Sequence, residues 1–298
     1  MEVQESPLVS LITIDYNSPQ YTLALVESLK SSTYSNWELI IVDNAQNDEA
    51  ARLLSDLGSN IRFYTAPQNL GFAGGNNYGV EQAKGDYFFF INNDTEVTPE
   101  LIGQLVSRMQ SNERIGLISP KIKFFETNLI QYAGYTELSK TMRNEAVGSK
   151  QEDNDQYQSL IRTPFAHGAA MMTSRTVVEQ IGMMPELYFL YYEEMDWSEI
   201  IKRAGLEIWV DQSAVIYHKE SMSIGKLNPL KTYYLSRNRI LFSRRNNPLL
   251  RNIFFVLYSY FIVLPLKSIT FCLKREWDHL NSLVKAHLWH LSNLQIRE

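Results

Sequence analysis

The sequence of 298 residues predicts an α/β fold built on a largely parallel sheet, and three observations carry that prediction. Short apolar runs alternate with amphipathic stretches from Leu8 to Gln110, the pattern of strands linked by crossover helices. The first, second and fourth runs end in polar, acceptor-rich tips: Asp15-Tyr16-Asn17, Asp43-Asn44 and Asn92-Asn93-Asp94. A hydrophobic content of 45% is enough to fill the core of one large domain.

Leu8 to Ile14 reads as the first strand and Pro19 to Lys30 as an amphipathic helix. Trp37 to Val42 is the second strand, Asp48 to Leu57 a helix, and Ile61 to Thr65 the third strand. Gly74 to Lys84 is helical, Tyr87 to Ile91 is a short aromatic strand after Gly85, and Pro99 to Gln110 is a helix with proline at its start. Right-handed crossovers then bring the strand tips to one face, where open α/β sheets collect ligands. After Ile115 to Ser119 the pattern loosens, and Lys150 to Gln158 is polar enough to be a mobile loop. Order returns at His167 to Met172, in a helix from Arg175 to Ile181, and in the segment Tyr188 to Ala204.

The formal net charge of −5 hides an asymmetry. Residues 219–298 carry 13 Lys and Arg against 4 Asp and Glu, whereas residues 1–218 carry 15 against 29. An acidic body argues against nucleic acid as the main partner, and a basic, aromatic tail suits an anionic membrane surface. The single cysteine, Cys272, excludes an intrachain disulfide and a cysteine zinc site; it reads as buried and inert. Met1 to Pro7 contains no apolar signal region, so a cytoplasmic location is expected. The apolar run from Ile253 to Leu266 is shorter than a spanning helix requires and is expected to lie in the membrane interface.

The tips supply the chemistry. Asp94 is a hard oxygen ligand suited to Mg²⁺ or Mn²⁺ across a diphosphate, with Asn92 and Asn93 beside it. Asp43 either caps the next helix or accepts a nucleoside ring N–H, with Asn44, Asp15 and Asn17 placed toward the ribose. The stretch Asn69 to Asn77, with Gly71, Gly74 and Asn76, opens a helix and lets backbone amides approach a phosphate, but it matches neither the dinucleotide fingerprint nor the P-loop. Glu193, Glu194 and Asp196 stand among Tyr188, Phe189, Tyr191, Tyr192 and Trp197, a setting that raises a carboxyl pKa and suits a general base. His218, after the strand-like Ala214 to Tyr217, is a candidate metal or phosphate ligand; His167 is expected to shape the acceptor pocket, and Arg237 and Arg239 are candidate phosphate contacts.

Together these motifs resemble glycosyltransferase family 2 over roughly residues 8–245, with the Asn92-Asn93-Asp94 tip in the place of the family's DXD-type motif. The resemblance implies a GT-A-type, Rossmann-like mixed, mainly parallel sheet flanked by helices, spanning 1–225, and a basic helical membrane-associating region from 226 to 298. It implies a nucleotide-sugar donor, a divalent Mg²⁺ or Mn²⁺ ion, a glycan or lipid-linked glycan acceptor, and inversion of the anomeric centre. The strand-end acid falls on Asp43, the glycine loop on Asn69 to Asn77, and the base on Glu194, with Glu193 and Asp196 as its neighbours. Asn92 in place of an acid leaves Asp94 as the one charged ligand of that motif. The Asn-Asn-Asp tip, the Glu-Glu-x-Asp-Trp segment and Tyr233 to Arg239 look most like rhamnosyltransferases, making dTDP-rhamnose the expected donor and the inner face of the cytoplasmic membrane the expected location.

Two other readings compete. A sugar nucleotidyltransferase needs a glycine-rich basic loop after the first strand, where Asp15-Tyr16-Asn17-Ser18-Pro19 stands instead. A non-catalytic nucleotide-sugar-binding scaffold at the membrane would release no nucleoside diphosphate.

Overall fold

The structure is a computed structural model and describes residues 6–219 and 228–293. The expected boundary at 225 and 226 lies in residues 220–227, outside the described residues.

The first half follows the expected alternation. Strand β1 (Val9–Asp15) leads to α1 (Pro19–Leu29), β2 (Trp37–Asp43) to α2 (Asp48–Leu54), and β3 (Ile61–Thr65) to α3 (Gly71–Gln82) before β4 (Tyr87–Ile91). These four strands are parallel, in the spatial order β3-β2-β1-β4. In β4, Phe89 packs into the core on one face while Phe88 and Phe90 pack into the core on the other, so the strand is buried on both sides.

The second half breaks the parallel rule. After β5 (Thr95–Val97) and α4 (Leu101–Ser111) come the long β6 (Ile115–Phe124), then β7 (Ile130–Tyr132), β8 (Leu160–Arg162) and β9 (Ala170–Ser174). Strand β9 pairs antiparallel with both β4 and β6, and β10 (Glu207–His218) pairs parallel with β6 but antiparallel with β5 and β8. The sheet is therefore mixed, because β9 arrives from an extended loop instead of a crossover helix. Between β9 and β10 lie α5 (Arg175–Ile181) and α6 (Glu193–Arg203).

The stretch 150–158 is not the mobile loop its composition suggests. Lys121, buried in β6, holds Asp153 at 2.8 Å and donates to the Tyr157 carbonyl at 3.1 Å. The partner sits some thirty residues away in sequence, out of reach of a local reading.

Among the described residues four helices follow β10: α7 (Pro229–Asn246), α8 (Leu249–Tyr258), α9 (Leu264–Lys274) and α10 (Trp277–Ser292). A π-helical turn, Ser259–Val263, joins α8 to α9 and makes 249–274 a continuous helix of 26 residues. Pro265 lacks an N–H and crowds the preceding turn, which the wider π turn accommodates. By length and composition this helix could cross a membrane, correcting the shorter run read from sequence. Only 11% of its apolar window is buried, and Leu250, Phe261 and Leu273 are 82%, 71% and 81% exposed. Cys272 is exposed on α9, not buried as expected. A third core cluster, with Tyr188, Tyr192, Ile240, Phe242 and Phe255, joins these helices to the body.

Candidate active site

The polar tips meet at the carboxyl ends of the parallel strands, but their side chains divide into internal ties and open groups. Asp15 is fully buried and accepts from Thr22 Oγ1 at 2.6 Å and Ser18 N at 3.2 Å. Burial, the largest effect, raises its carboxyl pKa. Asn93 donates to Ser18 Oγ at 2.9 Å and Thr22 Oγ1 at 3.0 Å, so the β1 and β4 tips are tied through the start of α1. Asp43 does not cap α2, a role taken by Asn47, whose side chain accepts from Glu49 N; it accepts from Ala45 N and Asn47 N at 2.9 and 2.8 Å and so organises the turn before that helix. Asn17 is exposed at the rim, accepting from Asn47 Nδ2 at 3.0 Å, beside exposed Tyr16.

The glycine stretch is mostly helix. Asn69 Oδ1 accepts from Gly71 N, and Asn44 bridges the β2 tip to it by accepting from Leu70 N and donating to Gly71 O. Asn76 donates to Phe72 O within the helix. The glycine density serves packing: a Cβ on Gly75 would stand 2.8 Å from Ile14 Cδ1, and one on Gly74 2.9 Å from Leu70 Cβ. At Gly71, φ is +71° and a Cβ would collide with the Phe189 carbonyl oxygen. Phe72 N donates to that same oxygen at 2.7 Å, so this helix start rests directly on the turn before α6.

Asp94 and His218 come together. Asp94 Oδ1 lies 3.1 Å from His218 Nε2, and Gln131 Oε1 lies 2.9 Å from His218 Nδ1. With the Nδ1 proton given to Gln131, the Nε2 lone pair faces a carboxylate unless a cation or a second proton sits between them. This donor pair fits a divalent ion. Among the described residues no group of three or more His, Cys, Asp or Glu could enclose a metal, so this pair would need amide, carbonyl, water or substrate oxygens to complete a shell. Asn92, half-buried, flanks the pair. Gln131 was missed by sequence reasoning because β7 is three residues long and carries no motif.

From His218 the site continues to the acidic cluster. The His167 ring lies 6.4 Å from that of His218 and stacks on Tyr135 at 6.0 Å. Burial, reinforced by His218, lowers its pKa to about 3, so it stays neutral. Gly168 follows, and a Cβ there would meet Glu194 Cγ at 3.8 Å. Glu194, half-buried, has its carboxyl pKa raised to about 7 by burial, opposed by backbone N–H groups at the start of α6. Glu193 is driven well above the carboxylate range by burial and by the Glu194 charge; its Oε2 is buried without a hydrogen bond.

Asp196 points elsewhere. It is fully buried, accepts from Arg245 Nε at 2.9 Å and is bonded by Asn246 Nδ2, pinning α6 to α7. Arg237 is also structural: it donates to the Leu187 and Tyr188 carbonyls and packs over Tyr234 and Trp289. Asn238, which sequence reasoning passed over, donates to the Tyr188, Leu190 and Tyr191 carbonyls at 3.0, 2.7 and 2.8 Å.

Residues 10–182 match the family model described as glycosyl transferase family 2. The chain belongs to glycosyl transferase family 2. This family 2 enzyme is 27% identical over 249 residues to a low-salt glycan biosynthesis hexosyltransferase of Haloferax volcanii, covering 81% of this chain and 78% of that one. Its fold is similar to that of a mannosyltransferase from Pyrobaculum calidifontis, solved in complex with GDP-Man and Mn²⁺. The TM-score is 0.59 at 12% identity, covering 99% of this chain and 89% of that one. It is also similar to GalNAc-T7 solved with UDP, GalNAc and Mn²⁺, with TM-score 0.62 at 13% identity over 80% of this chain and 51% of that one. The family 2 glycosyltransferase thus has a GT-A fold, with C-terminal helices packed on it.

Proposed function

We propose that this glycosyltransferase moves a hexosyl group from a nucleotide-sugar donor to a hydroxyl of a lipid-linked or cell-surface glycan, with inversion. One observation carries the reading: Asp94, His218, His167, Gly168 and Glu194 form an unbroken arc from the sheet tips to the start of α6. Its first end offers a metal-binding donor pair; its other end offers a carboxylate poised near neutrality.

In this scheme Glu194 accepts the proton of the acceptor hydroxyl as that oxygen attacks C1. Glu193 stays protonated beside it and adds no competing charge. No covalent enzyme intermediate is needed, because the acceptor oxygen bonds to C1 as the C1–O bond to the nucleoside diphosphate breaks. Asp94 and His218 would hold Mg²⁺ or Mn²⁺, which supplies charge neutralisation at the diphosphate leaving group. The Mn²⁺ in the two similar structures supports a divalent ion here. The rim at Tyr16, Asn17 and Asn47 takes the nucleoside.

The donor we assign first is dTDP-rhamnose, on the Asn92-Asn93-Asp94 tip and the Glu193 to Trp197 segment. The exposed apolar helix 249–274 supports a peripheral position on the inner face of the cytoplasmic membrane. Its inner face carries Asn252 and Ser259 against the polar α7 and α10, which would have to enter the bilayer if the helix crossed.

The test is nucleoside diphosphate release from UDP-, GDP- and dTDP-sugars with Mg²⁺ or Mn²⁺, in wild type, Asp94→Ala and Glu194→Gln. Metal-dependent release from one donor, lost in both variants, is the expected result. Release that survives Asp94→Ala would remove the metal assignment. No release from any donor, with lipid extract supplied, would favour the scaffold reading.

A further inference from the structure

Behind the acidic cluster, where helix 249–274 crosses α7, lies a second polar pocket that the proposed transfer does not use. It is a small cleft partly open to solvent, lined by Ser236 and Arg239 from α7, Ser259, Val263 and Lys267 from the long helix, and His287 from α10. Ser259, Val263 and Lys267 are spaced four apart and therefore share one helix face. Arg239 donates through Nε to Tyr192 OH at 3.2 Å, and Tyr192 is the residue that enters α6 just before Glu193 and Glu194.

The charges here are unbalanced. Lys267 stands in the positive field of Arg239 and Arg143, and among the described residues no carboxylate pairs with any of the three. His287 does not add to the charge: its Nδ1 lies 2.9 Å from the Leu283 carbonyl, so Nε2 is left to accept from Ser259 Oγ at 3.1 Å. A partly buried cluster of like charges with hydroxyls beside it is unfavourable when empty and favourable around a phosphate. The π turn itself forms part of the wall, since Ser259 and Val263 begin and end it.

Outward from the pocket the surroundings turn apolar. Phe261, Ile262, Leu266 and Ile269 are exposed at 71%, 47%, 60% and 57% on the same helix. An anion held at Lys267 and Arg239 would thus have a hydrocarbon-compatible surface on one side and the Tyr192–Glu194 turn on the other.

From this placement we infer that the pocket binds the phosphate or diphosphate of a lipid that carries the acceptor glycan. The lipid chain lies along the exposed face of helix 249–274, and the glycan extends toward Glu194. The inference rests on the transferase reading for its acceptor, but the binding it requires does not depend on turnover.

The test measures binding of farnesyl diphosphate, farnesol and inorganic diphosphate to the full chain in detergent, with no donor present. Wild type is expected to bind farnesyl diphosphate at least tenfold more tightly than either of the other two. Lys267→Met and Arg239→Gln should each lose about tenfold, whereas Lys267→Arg and Glu194→Gln should bind like wild type. Equal binding of inorganic diphosphate would overturn the lipid assignment and leave a free-anion site. Unchanged binding in a folded Lys267→Met protein would overturn the pocket altogether. If donor hydrolysis fails while farnesyl diphosphate binding behaves as expected, the transfer reading falls and the pocket stands.

Discussion

Replacing Glu194 by glutamine should lower activity and raise stability at the same time, and the two effects share one cause. Burial lifts the Glu194 carboxyl from 4.5 in the unfolded chain to about 7 in the native protein. Between those values the native state binds more protons than the unfolded state, so stability falls as pH rises through this window. A shift of this size corresponds to about 3 kcal/mol, fully lost above pH 7. Glutamine occupies nearly the same volume and carries no charge to desolvate. Glu194→Gln should therefore match wild type near pH 4 and exceed it by up to about 3 kcal/mol at pH 8, read from urea melts at both values. Activity moves the other way. The wild-type rate should climb with pH along a limb centred near 7, and the variant should lose about 10²- to 10⁴-fold with no such limb. A variant that keeps its rate, or is less stable than wild type at pH 8, would refute the reasoning.

Three further substitutions separate structural groups from chemical ones. Asp196→Asn leaves Arg245 without its carboxylate and should cost about 3 kcal/mol in urea melts, while the folded fraction keeps the wild-type pH profile. A flattened profile would return Asp196 to candidacy as the base. Gly71→Ala places a side chain against the Phe189 carbonyl at positive φ and should cost about 2–4 kcal/mol by thermal melt. Asn238→Ala unties three carbonyls and should cost about 3 kcal/mol while reducing transfer more than donor binding; equal kcat in both proteins would show that the turn holds itself.

The parallel half of the sheet was legible because each strand announces itself locally: an apolar run, a polar tip, then an amphipathic helix. Strands β5, β7 and β8, three residues each, announce nothing, since pairing alone defines them. For the same reason the mixed character of the sheet was expected only from the family resemblance and not from any run of residues. Glu194 could be picked out as a candidate base from its aromatic neighbours, which are adjacent in sequence. The role of Asp196 could not, because its partner Arg245 lies 49 residues away. The dense glycines after Asn69 suggested a ligand loop, yet at Gly75 the reason is contact between α3 and Ile14 of β1. Composition shows that backbone must come close to something; only the fold says to what.

The C-terminal helices are joined to the site more closely than an appendage would be. The turn that presents Glu194 runs through Phe189, Tyr191 and Tyr192 at φ of 65°, 68° and 78°, a conformation that L-residues adopt at a cost of about 1 kcal/mol each. Such a turn persists only if its surroundings over-determine it. Its carbonyls are gathered by Arg237 and Asn238 of α7, Phe189 stacks on Tyr234 at 5.1 Å, and Asp196 is clamped by Arg245 and Asn246 at the far end of the same helix. Helix α7 is in turn held by α10, where His290 lies 2.8 Å from the Arg237 carbonyl. The apolar surface is thus linked to the Glu194 turn by packed helices, whereas Asp94, between β4 and β5, and His218, at the end of β10, are positioned by the sheet.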